Sequence, residues 1–414
     1  MDMKRFLVCV FISLIFSALA FSQKRYFDEN CFRVKITKDI QYGENKNFLG
    51  TNVQKLYMDV YEPLNDTLLQ RPLIILAHGG GFTGLLDKRD VWSIDQLCKR
   101  FAAMGYVTAT IDYREGFFPD ISNPVKAARE AVIRAVHDMK ASIRFFRKDA
   151  DRMNSFKINP NLIIIGGESA GAITAIHTAY MDNVSEFSNL GIDLSNIGGM
   201  EGNSGNPGYS SDANIVIELC GAINDTSWIV KGDQPLVAMH GDKDGTVPFG
   251  HDNAFAIIPL YGSSCIAERM KNISIDYAFY DFKGQDHVPF HIANDSVLYM
   301  DTTVTFIKTF LYPKIVQGVI PYDEDKDMKL FPNPARSGFS IAVSKDLKED
   351  VLVEVFDNTG RCVYKNKYKN YVNQTYIASE FFVPTSNLKF GHYTVRVISG
   401  DYIRSEKMII RKEE

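Results

Sequence analysis

The sequence predicts an α/β protein, with a mostly parallel central sheet covered by helices on both faces, followed by a small C-terminal all-β sandwich. Three observations carry this expectation. Apolar runs of strand length at 73–77, 162–165 and 235–239 end in glycine-rich turns and alternate with helical stretches, which is the βα pattern of a parallel sheet. Beyond about residue 329 the pattern changes to short alternating strands separated by turn residues. At 414 residues and 45% hydrophobic, the chain is long enough to bury a core of roughly 250 to 300 residues and still carry a second unit.

The N-terminus reads as a targeting segment. Lys4 and Arg5 precede an apolar run over 6–16, and small residues at Ala18 and Ala20, or Ala20 and Ser22, suit signal-peptidase cleavage. A signal peptide over 1–22 and a mature chain from Gln23 are expected. The run is too short to span a bilayer, and no later stretch reaches spanning length. The net charge of −4, without a basic patch interleaved with aromatics, argues against a nucleic-acid partner. No glycine loop carries a phosphate-binding lysine and the histidines lack metal-ligand spacing, so no cofactor is expected. Of the five cysteines past the signal segment, Cys220 with Cys265 or Cys31 with Cys98 are candidate disulfides, with buried free thiols as the alternative.

The elements follow in order. The run at 56–63 reads as an early strand, and 73–77 as a buried strand ending in His78-Gly79-Gly80-Gly81-Phe82. Three glycines leave the backbone bare, so the Gly80 and Gly81 N–H groups can approach a substrate oxygen with no Cβ in the way. His78 beside this loop is expected to brace it by hydrogen bonds. A strand at 105–114 and a helix over 131–141 come next; Val132, Val136, Met139 and Ile143 form an apolar stripe assigned to the core.

A strand at 162–165 then leads through Gly167-Glu168-Ser169-Ala170-Gly171 into a helix over 170–180. A G-x-S-x-G match is expected by chance roughly 0.1 times in such a chain. Strand, sharp turn and helix around it raise its weight. Such a turn presents Ser169 as a nucleophile and admits only small neighbours, while Ala170 N–H adds a third oxyanion donor. The glycine-rich segment 183–212 is expected to form a mobile rim loop beside that serine.

An acid is expected after the strand at 235–239, in His240-Gly241-Asp242-Lys243-Asp244-Gly245-Thr246-Val247-Pro248, where Asp242 and Asp244 compete. The base is expected at His287, in Gly284-Gln285-Asp286-His287 between a strand-like run at 275–280 and the last helix, with His291 as the alternative. His137 and His177 fall in expected helices and read as packing or surface residues. Asp286 reads as a solvated loop carboxylate.

Over about 31–312 these pieces resemble the α/β-hydrolase superfamily, specifically carboxylesterases and related lipases with an HGGG oxyanion loop. The order nucleophile, acid, base is the one that fold uses. The resemblance to an HG-x-x-D-x-x-VP pattern favours Asp244 over Asp242. It implies a Ser169–His287–Asp244 triad, an oxyanion hole of Gly80, Gly81 and Ala170 N–H groups, and a carboxylic ester as substrate, whether a small molecule, a lipid or a feruloylated or acetylated polysaccharide. The stretch between acid and base is longer than the commonest pattern. A serine exopeptidase of the same fold and a non-catalytic surface module remain as alternatives.

Composition shifts at 313–329, where Gly318, Pro321 and a charged run read as a linker. The expected layout is a hydrolase unit over 23–313, a linker over 314–328 and an immunoglobulin-like sandwich over 329–414. Strands at 339–343, 351–356, 362–364 and 393–397 flank the turn Asp357-Asn358-Thr359-Gly360. Leu330-Phe331-Pro332-Asn333-Pro334-Ala335, that turn, Leu388 with Gly391-His392-Tyr393, and Lys407-Met408-Ile409-Ile410-Arg411-Lys412 resemble the type A sorting domain of the type IX secretion system. The resemblance implies the secretion machinery of a Gram-negative bacterium as a partner and export through the periplasm to the exterior. The alternative, an accessory carbohydrate-binding sandwich, would need clustered exposed aromatics, whereas Tyr364, Tyr368 and Tyr371 lie near a lysine-rich stretch that reads as solvated.

Overall fold

The computed structural model describes residues 24–117, 123–254, 258–291 and 297–316, and in the C-terminal part 328–331, 335, 338–343, 347, 349–357, 360–368, 379–385 and 387–410. The expected signal peptide over 1–22 lies outside the described residues, as do Tyr371 and parts of the sorting-domain motifs.

Eight strands form the main sheet. In chain order they are β1 (Val34–Lys46), β2 (Val53–Pro63), β3 (Arg71–Ala77), β4 (Val107–Ile111), β5 (Ile158–Glu168), β6 (Ile215–Leu219), β8 (Leu236–Gly241) and β11 (Tyr277–Phe282). They lie side by side as β1-β2-β4-β3-β5-β6-β8-β11. The pairs β1/β2 and β2/β4 are antiparallel, and every pair from β4/β3 to β8/β11 is parallel. The central strands carry largely apolar runs, such as Leu73–Ala77 and Leu162–Ile165, because both faces are covered.

The period-2 alternation of strand side chains divides the core. Leu73, Ile75, Ile163, Ile165 and Val216 pack on one face with α2 (Pro124–Arg152), α3 (Ala170–Tyr180) and α5 (Ser263–Ile273). Ile74, Leu76, Ile164, Ile217 and Leu219 pack on the other with α1 (Trp92–Met104) and α6 (Val297–Val316). A small antiparallel sheet of β7 (Ala222–Ile223), β10 (Ile258–Gly262) and β9 (His251–Ala254) sits beyond β6 in the chain.

The C-terminal part forms two antiparallel sheets over one core. One holds β12 (Met328–Phe331), β13 (Gly338–Val343) and β16 (Ser379–Pro384); the other holds β15 (Cys362–Tyr368), β14 (Val351–Phe356), β17 (Gly391–Ser399) and β18 (Tyr402–Ile410). Phe339, Ile341, Val353, Val355, Val395 and Val397 meet between them.

Four expectations are corrected. The last helix of the first unit passes 313 and runs to Val316, with Pro313 inside its final turn and Lys314 buried and paired with Asp276 at 2.8 Å. The sandwich begins at Met328, one residue before the expected boundary, and residues 317–327 of the linker lie outside those described. Helix α2 is far longer than 131–141, extending from the Asn123 cap to Arg152. All five cysteines past the signal segment are free thiols, so neither candidate disulfide forms.

The glycine-rich segment 183–212 is also not a loose rim. It contains α4 (Val184–Asn189) and is pinned along α2 and β1. Glu201 pairs with Lys140 at 3.0 Å and Arg144 at 2.7 Å, Ser204 O accepts Glu44 N–H at 2.9 Å, and Asn206 donates to Tyr42 O at 2.7 Å. Only its Leu190 reaches the serine's pocket.

The centre of this clasp is a buried ion pair. Asp138, with no exposed surface, holds Arg114 at 2.9 Å, accepts the Arg114 backbone N–H at 2.7 Å and accepts the Ser204 hydroxyl. Removing one partner strands the other charge in the interior. Asp138→Ala is expected to cost about 3 to 5 kcal/mol in urea unfolding. A loss under 1 kcal/mol would mean the clasp does not hold the fold.

Candidate active site

The serine sits where a strand becomes a helix with no intervening residue. Ser169 follows β5 and precedes α3 with φ 53° and ψ −120°, a left-handed conformation that costs an L-residue on the order of 1 to 3 kcal/mol. The surroundings impose it. Ser169 N–H donates to Leu219 O at 2.8 Å, and Ser169 O accepts from Ile173 at 2.9 Å. At Gly171 an added Cβ would strike the Ala77 and His78 carbonyls, so helix and β3 approach as closely as backbone allows.

His287 Nε2 lies 2.8 Å from Ser169 Oγ, and its Nδ1 lies 2.6 Å from Asp244 Oδ2. An ionised carboxylate only accepts, so Nδ1 carries the proton and Nε2 faces the hydroxyl as an acceptor. Asp244 stands in the turn after β8, its side chain buried, with Oδ1 accepting the N–H groups of Thr246 at 2.8 Å and Val247 at 2.9 Å. Burial alone would raise its pKa. Hydrogen bonds from His240 and His287 outweigh that and hold the carboxyl well below the usual carboxylate range.

The other candidates go elsewhere. Asp242 accepts the Gly284 N–H at 2.6 Å. Asp286 is solvated as expected, but its Oδ1 also accepts the N–H groups of Gly245 at 2.9 Å and His287 at 2.7 Å, tying the acid's turn to the histidine's loop. His78 is buried and stacks on Tyr113 at 4.6 Å between ring centres. Burial pushes it down to about 4, so it is neutral at pH 7. The Tyr113 hydroxyl reaches the His78 and Gly79 carbonyls at 2.9 and 2.8 Å. His177 is packed inside α3 with Nδ1 at 2.7 Å from Ile173 O, and His137 is buried in α2.

A cavity of about 60 Å3 opens on Ser169. Gly81 and Ala170 stand on its wall with the serine, together with apolar residues such as Phe117, Ile173, Val247 and Leu260. Gly80 does not line it. Its carbonyl is turned to Thr83, accepting the backbone N–H at 3.1 Å and the hydroxyl at 3.0 Å. Val132, assigned to the core stripe by its spacing, is half-buried: it packs against the core and also lines this pocket.

Sequence reasoning missed two groups. His240 is fully buried, with Nε2 at 2.9 Å from Asp244 Oδ2 and Nδ1 at 2.6 Å from Ser263 Oγ, so Oδ2 is shared between two imidazoles. Its place four residues before the acid was the available signal. The second group is Glu168, His291 and Asp87. His291 lies 3.1 Å from Glu168 and 3.4 Å from Asp87, bridging the residue before the serine to the segment after the glycine loop. Cys220 with Asp244 and His287, and Asp87 with Glu168 and His291, are the clusters of metal-ligating types among the described residues. In each the histidine is already hydrogen-bonded to carboxylate oxygens.

Comparison with known proteins places the two units. Residues 58–221 match the BD-FAE family, an esterase/lipase-like α/β hydrolase, and 329–411 match the secretion system C-terminal sorting domain. The first match includes the glycine loop and the serine turn and stops before Asp244 and His287. The quorum-quenching protein AidA of Acinetobacter baumannii is 29% identical over 124 residues, 30% of this chain; the match spans about a third of that relative, 35% of its length. Structures of Thermogutta terrifontis esterase 2 are similar at 22% identity. The form phosphoramylated by tabun covers 67% of this chain and 94% of its own with a TM-score of 0.49, and the propionate-bound form covers 68% and 94% with 0.48.

The His291 bridge makes a pH prediction. Hydrogen bonds from Asp87 and Glu168 raise its pKa from 6.5 to about 10. A raised folded pKa gives stability that is complete below pH 6.5 and is lost as pH rises to about 10. Melting curves of His291→Gln should therefore fall less than wild type between pH 7 and 10. Parallel curves for the two proteins would refute the bridge.

Proposed function

We propose that this chain is an exported serine carboxylic-ester hydrolase. The observation that carries the reading is the hydrogen-bonded line Ser169–His287–Asp244, at 2.8 and 2.6 Å, facing an apolar pocket. In this reading Ser169 Oγ attacks the ester carbonyl while His287 Nε2 takes its proton. His287 then gives that proton to the departing alcohol. Water enters and loses a proton to His287 as its oxygen attacks the acyl carbon; the Ser169 Oγ–acyl bond then breaks, His287 returns the proton to Oγ, and the acid leaves. Asp244 keeps the imidazole in the required tautomer and stabilises its cation. Ala170 and Gly81 N–H groups hold the oxyanion; one such donor is worth on the order of 10² to 10³ in rate.

Pocket size favours a short acyl group. The 60 Å3 cavity is small beside the roughly 300 to 1,000 Å3 typical of ligand sites, and its wall is mostly apolar. An acetyl to butyryl ester fits that space and a feruloyl group exceeds it. Turnover of p-nitrophenyl esters should peak at two to four acyl carbons, roughly, and Ser169→Ala should lower it by on the order of 10⁴ or more without lowering Tm. Activity near wild type in that variant would overturn the reading, and a preference for feruloyl esters would overturn the acyl assignment.

The sandwich supplies the address in this proposal. Its family match supports export by the type IX pathway, through the periplasm of a Gram-negative host to the surface or medium. Deleting residues 329–414 in the host should retain the enzyme in the periplasm, seen by fractionation. Undiminished export would make the sandwich an accessory module.

A further inference from the structure

The glycine loop turns through three successive residues in the left-handed region, Gly80 at φ 97°, Gly81 at φ 61° and Phe82 at φ 61°. Phe82 has a Cβ and is strained there, so the loop keeps this shape only where its surroundings hold it. On one side they do. The Tyr113 hydroxyl meets the His78 and Gly79 carbonyls, and Phe82 O accepts the N–H groups of Gly116 and Phe117, each at 2.7 Å.

The other side rests on Asp87. A Cβ on Gly79 would stand 3.0 Å from Asp87 Oδ2 and 3.4 Å from Ser169 Cβ, and one on Gly80 would stand 3.1 Å from Asp87 N. Asp87 is therefore packed on the first two glycines, with the serine turn beside them. Among the described residues its ion-pair partner is His291, at 3.4 Å, and His291 also lies 3.1 Å from Glu168, the residue before the serine. Both ring nitrogens thus face carboxylates, which only accept, so both carry protons and the ring is a cation. Glu168 is fully buried, and this cation is the charge that compensates it.

One ring ties three segments together. Asp87 belongs to the glycine loop, Glu168 to the serine turn, and His291 to the loop that carries His287, where its own N–H closes a turn on Val288 O at 3.0 Å. Without the cation, two carboxylates would stand beside a loop that must receive a negative oxygen.

We propose that His291 is a positioning residue for ester hydrolysis, fixing the glycine loop against the serine turn through Asp87 and Glu168 so that the Gly81 N–H is aimed at the developing oxyanion. This rests on the ester-hydrolase reading given above.

Turnover of p-nitrophenyl acetate by the full chain, expressed per active serine counted with a fluorophosphonate label, tests it. His291→Gln removes the cation. Asp87→Ala cuts only the arm to the glycine loop and leaves the buried Glu168–His291 pair, so it keeps the test open should the first variant not fold. Each should lower kcat at least tenfold with KM within threefold, a part of the loss on the order of 10² to 10³ that follows when an oxyanion donor is removed outright. Each should also weaken a trifluoromethyl ketone at least tenfold, because the oxygen of its serine adduct occupies the oxyanion position. Asp87→Asn, which keeps an acceptor for the His291 Nε2–H, should return kcat to within threefold of wild type. A merely structural ring would lower Tm or the number of active serines and leave kcat per serine unchanged. The proposal falls if Asp87→Ala keeps the wild-type kcat, if the loss lies in KM with the ketone bound as before, or if Asp87→Asn is as slow as Asp87→Ala. Should the wild type turn over no ester, or Ser169→Ala remain active, the ester-hydrolase reading falls and takes this proposal with it.

Discussion

The close approach of β3, β5 and α3 is the constraint on which the site depends. Gly171 lies against the Ala77 and His78 carbonyls, so the chain leaving β5 must reverse within one residue, and that residue is Ser169 at φ 53°. The same approach brings the end of β3, and the glycine loop that continues from it, beside the serine. The strain at one residue is held by strands buried on both faces, where no main-chain shift is available without breaking the parallel ladder. Nucleophile, glycine loop and pocket wall are therefore set by one packing contact.

Asp244 is the second organising point. One oxygen is consumed by the backbone N–H groups of its own turn, and the other is divided between His287 and His240. The backbone bonds fix the carboxylate plane, and His240, anchored on Ser263 at the start of α5, fixes its position from behind. His287 is the most exposed of the three, with a side chain one-fifth accessible, and it comes from the loop after β11. A part-exposed imidazole against a carboxylate held by four hydrogen bonds suits the proton carrier of the proposed reaction.

Helix α2 links the structural and chemical readings. Its stripes face the sheet core and the serine's pocket, and the segment 183–212 is clamped along it by Glu201 and Ser204. Glycine richness in that segment pointed to looseness because composition reports backbone freedom alone. The ion pairs that remove the freedom join Glu201 to Lys140 and Arg144, some sixty positions away, and no local pattern announces them. The same limit explains Val132, whose spacing fits a core stripe but whose neighbours leave an opening.

The sequence by itself determined the order of the main strands and helices, the strand–turn–helix around Ser169, the glycine loop, and the change to short alternating strands past residue 329, and it favoured His287 over His291. These are local patterns, written in adjacent residues by steric and periodic rules. The tertiary structure decided between Asp244 and Asp242 and between His287 and His291, and it alone showed that His240 shares the acid, that His291 bridges Glu168 and Asp87, and that Gly80 does not line the pocket. Each of these depends on atoms brought together from distant parts of the chain at distances of about 3 Å. Spacing along a sequence does not encode that distance, because loop geometry and packing set it only once the sheet has closed.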